Sequence, residues 1–113
     1  MKKSISWNIG KLENFVSSLH QLLQANIPLP NALDLLSHHL EKKAEAELAK
    51  NLKQKISRGI TFSIAWEEIT GEKLTYALLH AGEQAGLLID MLEHIKCFAK
   101  IENKIKTMIW EAL

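Results

Sequence analysis

Apolar residues recur every three to four positions along nearly the whole chain, which is the spacing of one face of an α-helix. The clearest case is the segment Lys11–Ala25. Because Asn tolerates a left-handed backbone better than most residues other than glycine, Asn26 predicts the end of this helix. Pro30 then suits the first turn of a second helix, where its missing N–H costs nothing. The apolar stripe of the first helix consists of Leu12, Phe15, Val16, Leu19, Leu22 and Leu23.

Five further helices follow from the same spacing, each bounded by a glycine, a proline or a polar residue. Thr61 is the predicted side-chain cap of the fourth helix. Short connections between the helices predict a compact antiparallel bundle, and no run of alternating polarity competes with this all-α fold. The predicted ranges are Pro30–Leu40, Ala44–Arg58, a short helix from Phe62 through Ile69, Glu72–Gln84, and a last helix from Leu88 towards the C-terminus.

Each predicted helix has a face that we expect to pack into the core. Cys97 lies inside the apolar pattern of the last helix, so we expect it to fill a small space in that core. The faces of the second to fourth helices are Leu33, Leu36 and Leu40, then Leu48, Leu52 and Ile56, then Phe62, Ala65, Trp66 and Ile69. Those of the last two are Leu74, Ala77, Leu78 and Ala81, then Met91, Leu92, Ile95, Phe98, Ala99 and Ile105.

Length and composition predict one folded domain over 1–113, because 47% of the 113 residues are apolar and 24% are charged. We expect an ordered core over roughly 11–107 and a flexible start over 1–8. No stretch reaches the roughly 20 apolar residues that a membrane-spanning helix needs, so the chain is expected to be soluble. A single cysteine fits a reducing compartment.

The charge balance weighs against a nucleic-acid partner. The formal net charge is +1, whereas a dedicated nucleic-acid-binding domain usually carries a clear basic excess. The alternative from this class is a three-helix DNA-binding unit within the third to fifth helices. Its phosphate contacts would be Lys53, Lys55 and Arg58.

The sequence contains no pattern typical of a catalytic or metal site. His38 and His39 are adjacent and point about 100° apart on a helix, and the other three histidines lie on separate helices. Surface or boundary positions are therefore expected for the histidines. HExxH, CxxC, G-x-S-x-G and phosphate-binding glycine patterns are absent. We expect no enzyme activity, no cofactor and no metal.

The most informative short segment is 81–88, where Gly82 and Gly86 bracket Glu83 at a corner between two helices. Glycine inside a helix costs about 1 kcal/mol relative to alanine, so Gly82 is expected to permit close backbone packing. Gly86 is expected to supply the positive φ of the turn. Glu83 would then anchor the corner near the start of the last helix, where free N–H groups favour a carboxylate. The alternative is that Glu83 contacts a partner or a cation.

The last helix carries a group of lysines, which are Lys96, Lys100, Lys104 and Lys106. One interpretation is an ordinary solvated helix face. The other is a basic strip next to a membrane, because the cytoplasmic flanks of membrane spans favour Lys and Arg. The apolar segment Met108–Trp110 that follows favours the second interpretation.

Three ordered motifs cover roughly Leu12–Lys106 and resemble the F domain of the inner-membrane platform proteins of type II secretion and type IV pilus systems. The segment Ala25–Leu29, A-N-I-P-L, is similar to the family's A-G-I-P-L, with Asn26 in place of glycine. The segment Gly59–Ala65 is similar to G-x-S-L-S-x-A, and Gly82–Leu88 is similar to G-E-x-S-G-x-L. The prolines common before the fifth helix are missing around Thr70–Lys73.

This resemblance implies a scaffold without catalytic residues. It implies the first cytoplasmic domain of a protein integral to the bacterial inner membrane, reaching the membrane only through segments absent from this chain. The implied partners are the assembly ATPase, other inner-membrane machinery proteins and pilin-like subunits, together with other copies in a homo-oligomer. The same type of platform serves secretion, pilus assembly and DNA uptake. A stand-alone helical adaptor or regulator is the alternative.

Overall fold

The structure, a computed structural model, describes residues 6–113 of the chain. Residues 1–5, most of the segment that the sequence predicts to be flexible, lie outside this part. Within it, Trp7 is half-buried and packs against the core.

The described residues contain helices and no strand, which confirms the all-α prediction. A short 3₁₀ turn, Gly10–Leu12, leads into the first α-helix, and most helix ends fall within one or two residues of the predicted positions. The six α-helices are α1 Glu13–Gln24, α2 Leu29–His39, α3 Lys43–Ser57, α4 Phe62–Thr70, α5 Lys73–Ala85 and α6 Leu88–Ala112.

Local chemistry explains how α1 and α2 are joined. Asn26 has a φ of 65°, which confirms the predicted left-handed end of α1. Pro28 precedes α2 in an extended conformation, and Pro30 lies in the first turn as predicted. The chain therefore makes a stiff elbow between two helices.

Successive helices pack against each other, and α6 returns to pack against α1, so the bundle closes on itself. Trp66 of α4 is fully buried at the centre, with the rings of Phe15 and Phe62 at centroid distances of 5.8 and 5.7 Å. Its indole N–H donates to Thr75 Oγ1 at 2.6 Å, which satisfies its polar atom within the core.

The sequence prediction for the buried face of α5 is wrong by one residue. Thr75, Leu79 and Gly82 are buried, whereas Leu74 is 49% exposed. Ala77 and Ala81 are exposed as well, and Leu78 is half-buried against the core. A shift of one position rotates the face by about 100°. The reason lies in contacts with other helices. Thr75 accepts a hydrogen bond from the Trp66 indole in the core, and Gly82, which has no side chain, lets α6 pack closely against α5.

The predictions for α6 hold only for its first half. Leu92, Ile95 and Ala99 are buried, but Phe98 and Ile105 are 46% and 51% exposed. Cys97 is exposed, so the prediction that it fills the core is wrong. The second half extends beyond the helices that cover the first half. None of the helices among the described residues is both long and apolar enough to cross a membrane.

Candidate functional site

The carboxylate of Glu83 joins α5 to the beginning of α4. Its Oε2 accepts the backbone N–H of Ser63 at 2.9 Å, and its Oε1 accepts the Ser63 hydroxyl at 2.5 Å. Ser63 is fully buried in the first turn of α4, where backbone N–H groups have no partner within the helix. The positive end of the helix dipole adds to the attraction.

Two sequence predictions about capping are corrected by this contact. Glu83 was placed near the start of the last helix, but its carboxylate points to α4. Thr61 has the extended backbone of a capping residue but makes no side-chain hydrogen bond. The cap that α4 lacks locally is supplied by a residue 20 positions later. Sequence spacing carries no signal for a pair of this kind.

The corner between α5 and α6 is tight. Gly86 has a φ of 72°, and the N–H groups of Gly86 and Leu87 both donate to the carbonyl of Gly82. A Cβ atom at Gly82 would lie 2.7 Å from Cγ of Met91 and 3.1 Å from the carbonyl oxygen of Leu87. This position therefore has no room for a side chain in the present packing.

A half-open apolar groove of about 780 Å³ lies between this corner and the α1–α2 elbow. Asn26, Ile27 and Leu29 line one side, and the other side runs from Gly82 and Glu83 to Asp90 in the first turn of α6. Leu87 and Ile89 at this side are 46% and 39% exposed. We call this the elbow groove. No basic residue lines it.

Two of the three sequence motifs line the elbow groove, and the third is bonded to one of its lining residues. The A-N-I-P-L and G-E-Q-A-G segments form its two sides, and the third motif is joined to them by the bond from Ser63 to Glu83. Sequence reasoning identified the three segments but not that they converge. Their order along the chain was the only signal, and it does not specify which segments approach one another.

Only three of the four lysines of the predicted basic strip lie on one side of α6. Lys96 is bonded to Glu93 at 2.9 Å, which holds the pKa of the Glu93 carboxyl below its usual value. Lys100 and Lys104 are exposed and follow Lys96 along one side of α6. Lys106 is exposed too, but two residues after Lys104 it points roughly 200° further around the helix. The structure therefore groups three of the four lysines.

The histidines do not converge on one point. His20 is 4% exposed, contrary to the expected surface or boundary position, and its Nε2 lies 3.4 Å from Oε2 of Glu93. The described residues contain no group of three or more His, Cys, Asp or Glu side chains placed to hold a metal ion. The lysines of the DNA-binding alternative are engaged in ion pairs, Lys53 with Asp34 and Lys55 with Glu68.

Comparison with known proteins assigns the fold just described to a family. The family model for protein F of the type II secretion system matches residues 15–113. A relative is the type IV pilus assembly protein PilC of Myxococcus xanthus (strain DK1622), 25% identical over 101 residues. The alignment covers 88% of this chain but 24% of the relative, so the chain spans about a quarter of that protein's length. The chain belongs to the family of protein F of the type II secretion system.

Proposed function

We propose that this chain is a cytoplasmic domain of an inner-membrane platform protein that organises a type II secretion or type IV pilus machine. It acts through contacts between protein surfaces rather than through a chemical reaction. Its partners are the assembly ATPase, other machinery proteins, pilin-like subunits and further copies of itself. Family membership over 15–113 supports the type of machine.

The observation that carries the proposal is that two of the three motifs line the elbow groove and the third is bonded to Glu83 in its wall. Its sides carry exposed apolar residues, Leu87 and Ile89 among them, next to Asp90. An apolar groove with a few polar groups at its edge is a common form of a site that receives a helix from a partner. The Glu83–Ser63 bond fixes one side of the groove against α4.

The same groove has the wrong form for the other types of site considered. Its lining contains Glu83 and Asp90 but no histidine, cysteine or basic residue. It therefore lacks the positive groups that would attract a phosphate backbone. Docking of a partner protein is the function that this lining supports best.

The proposal is tested by binding of the purified chain to the purified assembly ATPase of the same machine, measured by biolayer interferometry. Leu87→Lys and Ile89→Lys place a charge in the groove and should weaken binding by roughly tenfold or more each. Ile64→Lys is the matched control, because Ile64 is 44% exposed on α4 and does not line the groove.

Equal loss in all three variants would show that the groove is not the docking site. Absence of binding by the wild-type chain would contradict a direct contact between this domain and the ATPase. Circular dichroism melting of each variant checks that the fold is retained. Since all three positions are partly exposed, we expect melting temperatures close to that of the wild type.

A further inference from the structure

The two segments that form the sides of the elbow groove contain no lysine or arginine. The chain has 14 of these residues. None lies within 12–41, which includes the α1–α2 elbow, and none lies within 74–95, which includes the corner between α5 and α6. Glu83 and Asp90 line the groove. The groove is therefore a negative region in a chain whose formal net charge is +1.

No positive side chain offsets these two carboxylates. Asp90 is exposed in the first turn of α6, and no cation of residues 6–113 lies within ion-pair distance of it. Glu83 accepts its hydrogen bonds from the neutral N–H and hydroxyl of Ser63, so it keeps its charge. Lys53 lines a neighbouring depression beyond the elbow, where it is bonded to Asp34 at 2.7 Å.

The ends of four helices border the groove, and their dipoles balance. The helices α2 and α6 begin there, and α1 and α5 end there. A helix carries roughly half a positive charge at its beginning and roughly half a negative charge at its end. Because two of each lie at the groove, its side chains set the sign of its charge.

We propose that the elbow groove binds an amphipathic helix of a partner protein whose apolar face is bordered by lysine or arginine, one of which pairs with Asp90. This inference rests on the proposed function and adds the chemistry of the partner. Leu87 and Ile89 are 46% and 39% exposed beside Asp90, so an apolar face and a cation of one helix meet matching groups here.

The apolar contact and the charge have different effects. Burial of apolar surface supplies most of the affinity, whereas an exposed ion pair changes affinity only a few-fold. The charge acts mainly on the choice of partner, because a helix with acidic borders is repelled and one with basic borders is attracted. The sign of the bound helix is therefore the property to measure.

Other occupants fit the groove less well. An anionic lipid surface or a nucleic acid would be repelled by two carboxylates without a basic neighbour. The exposed end of α6, with Lys100 and Lys104, could enter the groove of a second copy. That contact would join two different surfaces and would extend into a row of copies unless it closed into a ring.

Selection from a phage-displayed library of helical peptides of roughly 18 residues tests the proposal on the whole 113-residue chain. The peptides carry leucine at i, i+4, i+7 and i+11 and random residues at the borders of this face. Peptides that still bind the chain with Leu87→Ser and Ile89→Ser are discarded, which leaves those that depend on the groove. We expect an excess of lysine and arginine at the borders of these peptides.

The same selection on Asp90→Lys should replace this excess with aspartate and glutamate. For the tightest peptide selected by the wild type, fluorescence polarisation should show a loss of affinity of about threefold in Asp90→Asn. Glu47→Gln is the matched control, because Glu47 is exposed on α3 and does not line the groove. Raising the salt concentration from about 0.05 to about 0.5 M should weaken binding to the wild type more than to Asp90→Asn.

Three results would overturn the proposal. Neutral or acidic borders in the selected peptides, or the same borders for wild type and Asp90→Lys, would show that charge does not choose the partner. Absence of any peptide that depends on the groove would show that it does not bind a helix. Self-association of the wild type that is lost with Leu87→Ser and Ile89→Ser would assign the groove to a second copy.

The ATPase measurements separate this inference from the proposed function. ATPase binding that is lost in Leu87→Lys but equal in Asp90→Lys and wild type would keep the docking site and reject the charge preference. Selection of basic helices through Asp90 without any ATPase binding would keep the chemistry of the groove and reject the ATPase contact. Circular dichroism melting checks that the Asp90 variants are folded, which we expect because Asp90 is exposed.

Discussion

At the scale of single residues, Glu83 accepts two hydrogen bonds from Ser63, which join α5 to the beginning of α4. Glu83→Gln removes the charge and one of the accepting oxygens, which leaves a buried donor of Ser63 without a partner. We expect the free energy of unfolding to fall by about 1–2 kcal/mol, measured by urea denaturation near neutral pH. The exposed Glu47 on α3 is the control, and Glu47→Gln should change stability by less than about 0.5 kcal/mol.

Equal stability of Glu83→Gln and Glu47→Gln would reject the structural role of Glu83. It would favour the alternative that the carboxylate contacts a partner or a cation. The sequence could identify Glu83 because two glycines bracket it. It could not identify Ser63 as its partner, because 20 residues separate them and only the packing of α4 against α5 brings them together.

Asp34 gives a prediction about acid stability. Its Oδ1 accepts a hydrogen bond from Nζ of Lys53 at 2.7 Å, and this bond, with the lysine charge, holds the pKa of the Asp34 carboxyl below its usual value of 3.8. A carboxyl whose pKa is lower in the folded state stabilises the fold above its unfolded pKa. That contribution is lost as the pH falls below 3.8 and through the folded pKa.

When the pH is lowered from about 6 to about 3, we therefore expect the melting temperature of Asp34→Asn to fall by less than that of the wild type. The difference should be small, because both side chains are partly exposed to water. Circular dichroism melting at the two pH values measures it. The same loss in both proteins would show that the pair contributes nothing to the acid sensitivity.

At the scale of elements, the approach of α5 to α6 depends on Gly82. Alanine is favoured over glycine in a helix by about 1 kcal/mol, so propensity alone predicts that Gly82→Ala stabilises the protein. The added Cβ would lie 2.7 Å from Cγ of Met91 and close to a backbone oxygen, which forces the two helices apart. We expect a net loss of about 1–3 kcal/mol in urea denaturation, because overpacking outweighs propensity.

The double variant Gly82→Ala with Met91→Ala separates these two effects. It removes the methionine that the new Cβ would meet, so the added cost of Gly82→Ala should be smaller in the Met91→Ala background than in the wild type. An equal cost in both backgrounds would show that the methionine contact is not the cause. A stabilised single variant would show that the helices have room to move.

The positions of the helices were predictable from the sequence, but which side of α5 packs into the core was not. Three-to-four spacing, Asn26, Pro30 and the glycines specify where helices begin and end through local chemistry. The apolar residues Leu74 and Ala77 predicted one face, yet Thr75 and Gly82 are buried instead. Their burial depends on the Trp66 indole and on Met91, which belong to other elements. Periodicity identifies a helix, whereas burial depends on its neighbours.

At the scale of the whole molecule, the antiparallel all-α bundle followed from six helical segments and short connections, without any need to identify contacts. Which apolar residues lie in the core depends on how far each helix is covered. All residues after 103 are exposed, although apolar residues recur among them every three to four positions, as they do in the first half of α6. The elbow groove depends on contacts between elements far apart in the chain, so it could not be predicted from spacing.

A cluster of hydrogen bonds joins α6 to the segment around Gly10 and so closes the bundle. Glu102 accepts the backbone N–H of Gly10, and Nδ2 of Asn103 donates to the Gly10 carbonyl at 2.9 Å and to Oε1 of Glu13 at 2.8 Å. Gly10 is buried there, and a Cβ atom would collide with the Asn103 side chain. The last residues that bind α6 to the bundle are therefore Glu102 and Asn103.

Two shortened chains test this boundary. A chain of residues 1–107 keeps the cluster and should match the full chain in urea denaturation within about 0.5 kcal/mol. A chain of residues 1–101 loses three hydrogen bonds and should be less stable by roughly 2–3 kcal/mol.

The full chain with Glu102→Ala and Asn103→Ala should reproduce most of that loss, which separates the cluster from simple shortening of the helix. Measurement at low micromolar concentration excludes a contribution from pairing of copies. If the 1–107 chain were as unstable as the 1–101 chain, the exposed end of α6 would contribute to the fold of the monomer, and the bundle would not be complete at Asn103.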